Sequence, residues 1–339
     1  MQNNRPIASV IVLNWNGKRF LGKCIASLLN QSASDYEVLL VDNGSAENSV
    51  ELIRKTFGGD PRLRIVELGY NYGFSKGNNL GIKSANGKYV IVLNNDTEVK
   101  PNFVSKLVSV AESDNNIASV SCKIMHYDGS VWFGQYFTNG GLIVPFFTQG
   151  FSTQYLNRIY DQSSQNLANS GCAVLYKKSV IDKIGGFDED FWTDWEDYDL
   201  GFRTNLAGFK SVYTPEFLVV HLGGGSAGSS PERYVRIYRN MLFTYFKNYD
   251  TKDLLTRFPL FLFALLPTLH VGWIVHRLVT RPPDFHRNKS MQYLLSLDKS
   301  IISFLLNLKM FVRKRYFIQR LRKVSDSAIF SNTHLKGIC

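Results

Sequence analysis

Val90-Ile91-Val92-Leu93-Asn94-Asn95-Asp96-Thr97-Glu98 is the stretch whose reading decides the fold. Four apolar residues, three of them β-branched, predict a strand buried on both faces. The run stops abruptly in two amides and a carboxylate. In an open α/β sheet the carboxyl edge of the strands is where ligands bind. Asp96, with Asn94 and Asn95, therefore stands where a metal ion or a phosphate would be held. A strand end before a helix explains the same residues taken alone, because Pro101 soon opens a helix.

The neighbouring sequence repeats the pattern. Ala8–Leu13 is a buried-strand run ending in Asn14-Trp15-Asn16-Gly17, and an amphipathic helix follows through Leu29. Tyr36–Val41 ends in Asp42-Asn43-Gly44-Ser45, before a helix over 47–57. Leu63–Leu68 closes in a polar run from Gly69 to Asn79, and a helix continues to Ala85. Strands alternating with helices over short links predict a parallel sheet flanked on both faces, its polar strand ends on one edge. There is no GxGxxG after the first strand and no GxxxxGK[ST], which excludes dinucleotide and P-loop chemistry. Gly73 and Gly77 read equally as turn-and-packing glycines and as phosphate contacts.

Beyond the central strand the rhythm changes. Ile117 to about Leu156 is aromatic-rich and punctuated by glycine, the pattern of short hairpins. Ala168–Tyr176 reads as a strand, and Ser179 as the cap of a short helix ending at Gly185-Gly186. An acidic stretch follows, from Phe187 to Leu200. A solvated helix start accounts for Asp188, Glu189 and Asp190. It does not account for Phe191, Trp192 and Trp195, which interleave with the acids like the wall of a pocket. Glu196 and Asp197 point about 100° apart on a helix, so one is offered as a base and the other as a backbone anchor. Ser211–His221 is a further strand, and the Gly-rich loop after His221 raises that histidine above a structural role.

The chain has 339 residues, 45% hydrophobic and 20% charged, the profile of a folded protein with one large core or two domains. Its four cysteines are far apart with no CxxC pair, which argues against a zinc site and for a reducing compartment. The first apolar run, Ile7–Leu13, is too short for a secretory signal, so a cytoplasmic protein is expected. Residues 1–230 hold 20 Lys+Arg against 22 Asp+Glu, whereas residues 231–339 hold 19 against 6. All the positive excess therefore lies in the last third. There, Glu232–Tyr249 reads as a helix, Phe258–Val275 as a borderline apolar run broken by Pro267, and 291–323 as aliphatics alternating with Lys and Arg. Attachment to an anionic membrane surface is expected from this tail, with a packing or dimerisation helix as the alternative. Nucleic acid is not expected, because no groove-reading motif is present.

LNWNG, VDNGS, NYGFSKGNN, LNNDTEV, the run from NSGCAVLY to WEDYDLGFR, and HLGGGS, in this order, resemble the family 2 glycosyltransferases. Within them the chain is similar to the bacterial rhamnosyltransferase-like branch that builds surface polysaccharides. The resemblance covers about residues 6–245 and implies a GT-A fold, an α/β mixed sheet flanked by helices. Residues 1–100 would form the nucleotide-sugar half, 101–245 the acceptor half, and 246–339 a helical basic extension. By motif, Asn14 and Asp42 would meet nucleobase and ribose; Asn71, Lys76, Asn78 and Asn79, with Asn95, would line base and diphosphate. Asp96 would be the ligand of Mg²⁺ or Mn²⁺, helped by His221. The family often has an acid two residues before this aspartate, where this chain has Asn94.

Asp197 matches the family's catalytic base, with Trp195 and Glu196 on the acceptor side. The resemblance thus implies a metal-dependent transferase acting without a second paired carboxylate, and so with inversion. Its donor would be a nucleotide sugar, dTDP-L-rhamnose first and UDP-hexoses next. Its acceptor would be a saccharide or lipid-linked saccharide at the inner face of the cytoplasmic membrane. A sugar nucleotidyltransferase would need a Gly- and Arg-rich loop that Asn14–Lys18 does not supply. A non-catalytic glycan-binding protein and a homo-oligomer both stay open.

Overall fold

The computed structural model describes residues 5–132, 161–223, 230–259, 296 and 298–333, with the backbone of three short strand segments between 135 and 143. The expected alternation is present: β1 (Ala8–Asn14), α1 (Lys18–Leu29), β2 (Tyr36–Asp42), α2 (Ser49–Phe57), β3 (Leu63–Glu67), α3 (Gly73–Ser84) and β4 (Tyr89–Asn94). β2 is buried at every position and β4 at all but Asn94, because helices cover both faces of the sheet. β1 lies between β2 and β4, all parallel, with Asn14 opposite Asp42 and Leu13 opposite Asn94. Three polar strand ends therefore finish at one level of one edge.

The second half is not a continuation of the parallel pattern. It runs β5 (Thr97–Val99), α4 (Phe103–Glu112), β6 (Ile117–His126), β7 (Ser164–Asn166), β8 (Ala173–Lys177), α5 (Lys178–Ile184), α6 (Glu196–Leu206) and β9 (Lys210–His221). The sheet order is β7-β9-β6-β8-β4-β1-β2-β3, with β5 paired to β9. β8 is antiparallel to both β4 and β6, and β9 is parallel to β6, so the sheet is mixed. The expected strand Ala168–Tyr176 is broken at Ser170-Gly171. Ala168–Asn169 pairs instead with Gln135–Tyr136, and β8 begins only at Ala173. Ser179 is not a cap: α5 already starts at Lys178, and no side chain caps it.

α7 (Pro231–Asn248), α8 (Leu308–Leu321) and α9 (Asp326–Asn332) follow, with further helical residues at 251–259 and 298–306. One apolar cluster joins Phe191, Tyr198 and Phe202 to Phe243, Phe304 and Phe311, so the C-terminal helices share a core with the acidic stretch. The expected boundary at 245/246 falls inside α7. Of the apolar run 258–275, residues 260–275 lie outside the described residues, as do 133–134 and 144–160 of the hairpin region and Gly224–Gly228 of the glycine loop. Among the described residues no helix is long and apolar enough to cross a membrane.

Of the acids read as a solvated helix start, Asp188 and Asp190 are ion-paired instead, while exposed Glu189 accepts a hydrogen bond from Asn79. Lys247 has no exposed side-chain surface and bridges Asp188 and Asp199, the latter at 3.1 Å. Lys314 of α8 contacts both Asp188 and Asp190. Burial opposes ionisation of Asp188, but the two ammonium groups outweigh it and hold its carboxyl below the usual carboxylate range. The sequence pattern could not show this, because the cations lie more than fifty residues downstream. Removing one member of such a buried network strands the others. Lys247→Met is expected to lower unfolding stability by about 3–5 kcal/mol in urea titrations; a loss under about 1 kcal/mol would contradict the network's role.

Candidate active site

Asn14, at the end of β1, is fully buried and already engaged. Its Nδ2 donates to Asp42 Oδ1 (3.0 Å), Ser45 Oγ (3.1 Å) and Ser49 Oγ (3.0 Å), and its Oδ1 accepts from Asn95 Nδ2 (2.8 Å). It thus ties three strand ends together and orients Asp42, whose second oxygen accepts the Ser45 N–H at 2.9 Å. Gly17 is required here, since a Cβ would lie 2.0 Å from Asn95 Nδ2. Asn43 was not singled out from sequence, yet it organises the next loop. It donates to Asn71 Oδ1 (3.0 Å) and the Gly73 carbonyl (3.2 Å) and accepts the Tyr72 N–H (2.9 Å).

Lys76 Nζ stands 4.6 Å from the Tyr72 ring centre. Asn78 is fully buried and donates to the Phe74 carbonyl, while its Oδ1 and the Ser75 Oγ have no hydrogen-bond partner. Buried acceptors left unpaired are costly, and both lie in the first half of α3. Asn79 is placed otherwise. Its side chain donates to the Phe187 carbonyl and accepts the Phe187 N–H, both at 2.9 Å, so it fastens α3 to the turn before the acidic stretch.

Asp96 occupies the turn between β4 and β5. β5 folds back onto the end of β9, setting Thr97 opposite His221, and the Leu222 N–H donates to the Asp96 carbonyl at 2.8 Å. This pairing brings Asp96 Oδ1 to 3.4 Å from His221 Nε2, with both side chains buried. Trp132 stacks on the imidazole at 4.3 Å and fixes its plane; it lies in the region read from sequence only as hairpins. Burial, with His126 nearby, holds His221 below its usual range, although Asp96 pulls the other way. Asp96 Oδ1 and His221 Nε2 are two ligand atoms that could hold a divalent cation; the carboxylate suits Mg²⁺ or Mn²⁺, whereas an imidazole suits softer transition metals.

The third component is the acidic stretch. Trp192, Asp194 and Trp195 have φ values of +63°, +68° and +77°, conformations that non-glycine residues adopt only when held. α7 does the holding. Asn240 Nδ2 donates to the carbonyls of Phe191 (3.0 Å), Thr193 (3.1 Å) and Asp194 (2.7 Å), and Arg233 donates to Asp194 Oδ1 at 2.8–3.0 Å. A lone polar residue on an amphipathic helix carries no sequence signal for this role.

α6 consequently begins at Glu196. Asp197 Oδ2 accepts the Gly171 N–H (3.0 Å) and its Oδ1 accepts the Tyr198 N–H (2.9 Å). The next residue, Cys172, accepts the Asn94 N–H through its carbonyl at 2.9 Å. Asp197 therefore hangs on the segment that pairs with the end of β4, two residues from Asp96. Glu196 Oε2 and Trp195 Nε1 are buried without hydrogen-bond partners, and the Trp195 ring stacks on Tyr198 at 4.3 Å. Burial, and then the charges of Asp197 and Asp194, push the Glu196 carboxyl well above its ordinary range against the pull of Arg233.

The model of Glycosyl transferase family 2 matches residues 9–185, just over half of the chain, and the chain belongs to that family. It is a glycosyltransferase with the GT-A fold. Over 259 residues it is 26% identical to the N-acetylglucosaminyl-diphospho-decaprenol L-rhamnosyltransferase of Mycobacterium tuberculosis, covering 70% of this chain and 83% of that protein. It is 28% identical over 229 residues to the O-antigen biosynthesis protein RfbC of Myxococcus xanthus, covering 64% of this chain but only 17% of that much longer protein. Among solved structures it resembles S. aureus TarS 1–349 in complex with UDP-GlcNAc, with TM-score 0.58 and 15% identity over 95% of this chain and 89% of that one. It also resembles the mannosyltransferase PcManGT from Pyrobaculum calidifontis in complex with GDP-Man and Mn²⁺, with TM-score 0.54 and 14% identity over 96% and 79%. At these identities the two structures bear on the fold alone.

The Glu196 environment has a consequence for stability. A carboxyl whose folded pKa is raised keeps a proton that the unfolded chain has released, so stability falls as pH rises above the unfolded value of about 4.3. Glu196→Gln lacks this loss. Its melting temperature relative to wild type is expected to climb between about pH 5 and pH 8, and a constant difference would contradict a neutral Glu196.

Proposed function

We propose that the chain is an inverting, divalent-metal-dependent transferase that moves a sugar from a nucleotide donor to a saccharide or lipid-linked saccharide. The observation that carries this is the continuous link Asp197–Gly171–Cys172–Asn94–Asp96, which ties an oriented carboxylate to the strand end that carries the buried Asp–His pair. Asp42, Asn71, Lys76 and Asn78 are assigned to the donor side, with Asn14 and Asn95 holding Asp42 in place. Asp96 and His221 would hold Mg²⁺ or Mn²⁺, which when bound offsets the charge of the leaving diphosphate. Asp197 accepts the proton of the acceptor hydroxyl as its oxygen bonds to the anomeric carbon. The bond to the diphosphate breaks on the opposite face, so configuration inverts.

The name of the mycobacterial relative supports L-rhamnose as the sugar moved and a diphosphate-linked lipid saccharide as acceptor; dTDP as the donor's nucleotide rests on the motif resemblance. A lipid-linked acceptor in turn supports attachment of residues 246–339 to the inner face of the cytoplasmic membrane, with 1–245 as the transferase proper. A screen of dTDP-, UDP- and GDP-sugars for slow donor hydrolysis tests the reading without an acceptor. One donor is expected to be hydrolysed only with Mg²⁺ or Mn²⁺. Asp96→Ala should abolish this, and Asp197→Asn should reduce it by about 10²–10⁴-fold. Hydrolysis that ignores metal, or that survives Asp197→Asn, would contradict the assignment.

A further inference from the structure

α8 presents its two sides to different partners. Phe311 and Ile318 are buried in the core, Lys314 grips Asp188 and Asp190, and Arg315 donates to the carbonyls of Phe246 (2.7 Å) and Tyr249 (2.6 Å). The other side is unusually apolar for a surface. Leu306 is 80% exposed, Tyr316 68%, Leu305 59% and Phe317 50%, with Ile302 and Val312 beside them. Leu308, Val312 and Tyr316 recur every four residues, and exposed Lys309, Arg313 and Arg320 lie in the same rows. Scattered apolar residues need no explanation, but a continuous stripe of this kind marks an interaction surface.

We propose that this face of α8 and the preceding helical turns docks on an anionic lipid surface, with the acceptor loop held beside it. The proposal rests on the reading of the chain as a membrane-attached transferase and names the surface and lipid charge that reading leaves open. Charge selects the occupant. Lys299, Lys309, Arg313, Arg320 and Lys323 stand on the exposed side against Asp298. The segment 260–295 cannot neutralise them, since it carries Arg277, Arg281, Arg287 and Lys289 against Asp284. A second copy of this face would bring like charges together. Anionic headgroups satisfy the cations while the apolar side chains enter the acyl boundary.

The face is also joined to the site. Phe317 lies against Gly185, where an added Cβ would be 3.7 Å from its ring. Lys314, on the inner side of the same helix turn, holds the acids immediately before the Trp192–Glu196 loop. Docking through α8 is therefore linked, through Lys314, to the acids that precede the Trp192–Glu196 loop.

Vesicle flotation of the full chain tests this, using phosphatidylcholine alone and phosphatidylcholine with phosphatidylglycerol. At low salt the protein is expected to float with the anionic vesicles, and high salt should weaken this. Leu306→Glu/Tyr316→Glu and Arg313→Glu/Arg320→Glu should each reduce bound protein by about tenfold, with melting temperature and metal-dependent donor hydrolysis unchanged. Those two controls separate a failed docking face from a failed transferase reading. No flotation of the wild type would overturn both the face and the attachment. Flotation that neither variant weakens would overturn the face alone. A wild-type dimer that both variants dissociate would overturn the lipid assignment in favour of a contact between copies.

Discussion

The antiparallel pairing of β5 with the end of β9 is the constraint on which the site depends. β4 alone delivers Asp96 to the sheet edge, as many parallel strands deliver a polar residue. The reversal after it, only three residues long, closes the first half of the sheet onto the last strand of the second. Asp96 and His221, 125 positions apart in the chain, then share one buried point. Because β8 also lies between β4 and β6, the carboxylate anchored at Gly171 falls on the same side. This small patch of pairing is what keeps Asp96 and His221 together at the sheet edge that also anchors Asp197.

The C-terminal helices supply the second requirement, which is to hold a strained loop still. Positive φ at three large or charged residues persists only if surrounding contacts over-determine it. Asn240 and Arg233 provide those contacts from α7, while Lys247 and Lys314 fix the acids just upstream. The positive excess of the last third thus has two destinations. Its inward members neutralise the acidic stretch, and its outward members remain on the surface of α8. The tail is part of the transferase core as much as an attachment to it.

Strand ends and motif order made the fold legible in the sequence, because buried parallel strands are apolar runs with abrupt polar stops. Asp96 and His221 stood out as polar residues at strand ends beside turns, whereas Asp197 was told apart from Glu196 only by its place in the WEDYDLGFR motif. Roles that depend on side-chain geometry were not legible. Asn14 and Asn79 read as donor contacts, yet their amides are spent on neighbouring strands and on Phe187. Trp132, Asn43 and Asn240 act by stacking and by bonding to backbone, which leaves no periodicity or spacing to detect. Asp188 and Asp190 looked solvated because their cationic partners, Lys247 and Lys314, lie in helices distant in sequence.

Titration calorimetry of dTDP, UDP and GDP, with and without Mn²⁺, tests most directly whether Asp96 and His221 form a metal-assisted diphosphate site. The structure predicts that one nucleotide binds at least about tenfold more tightly with Mn²⁺, and that Asp96→Ala and His221→Ala each abolish the gain. Equal nucleotide affinity with and without Mn²⁺, or a gain that survives both substitutions, would contradict the account.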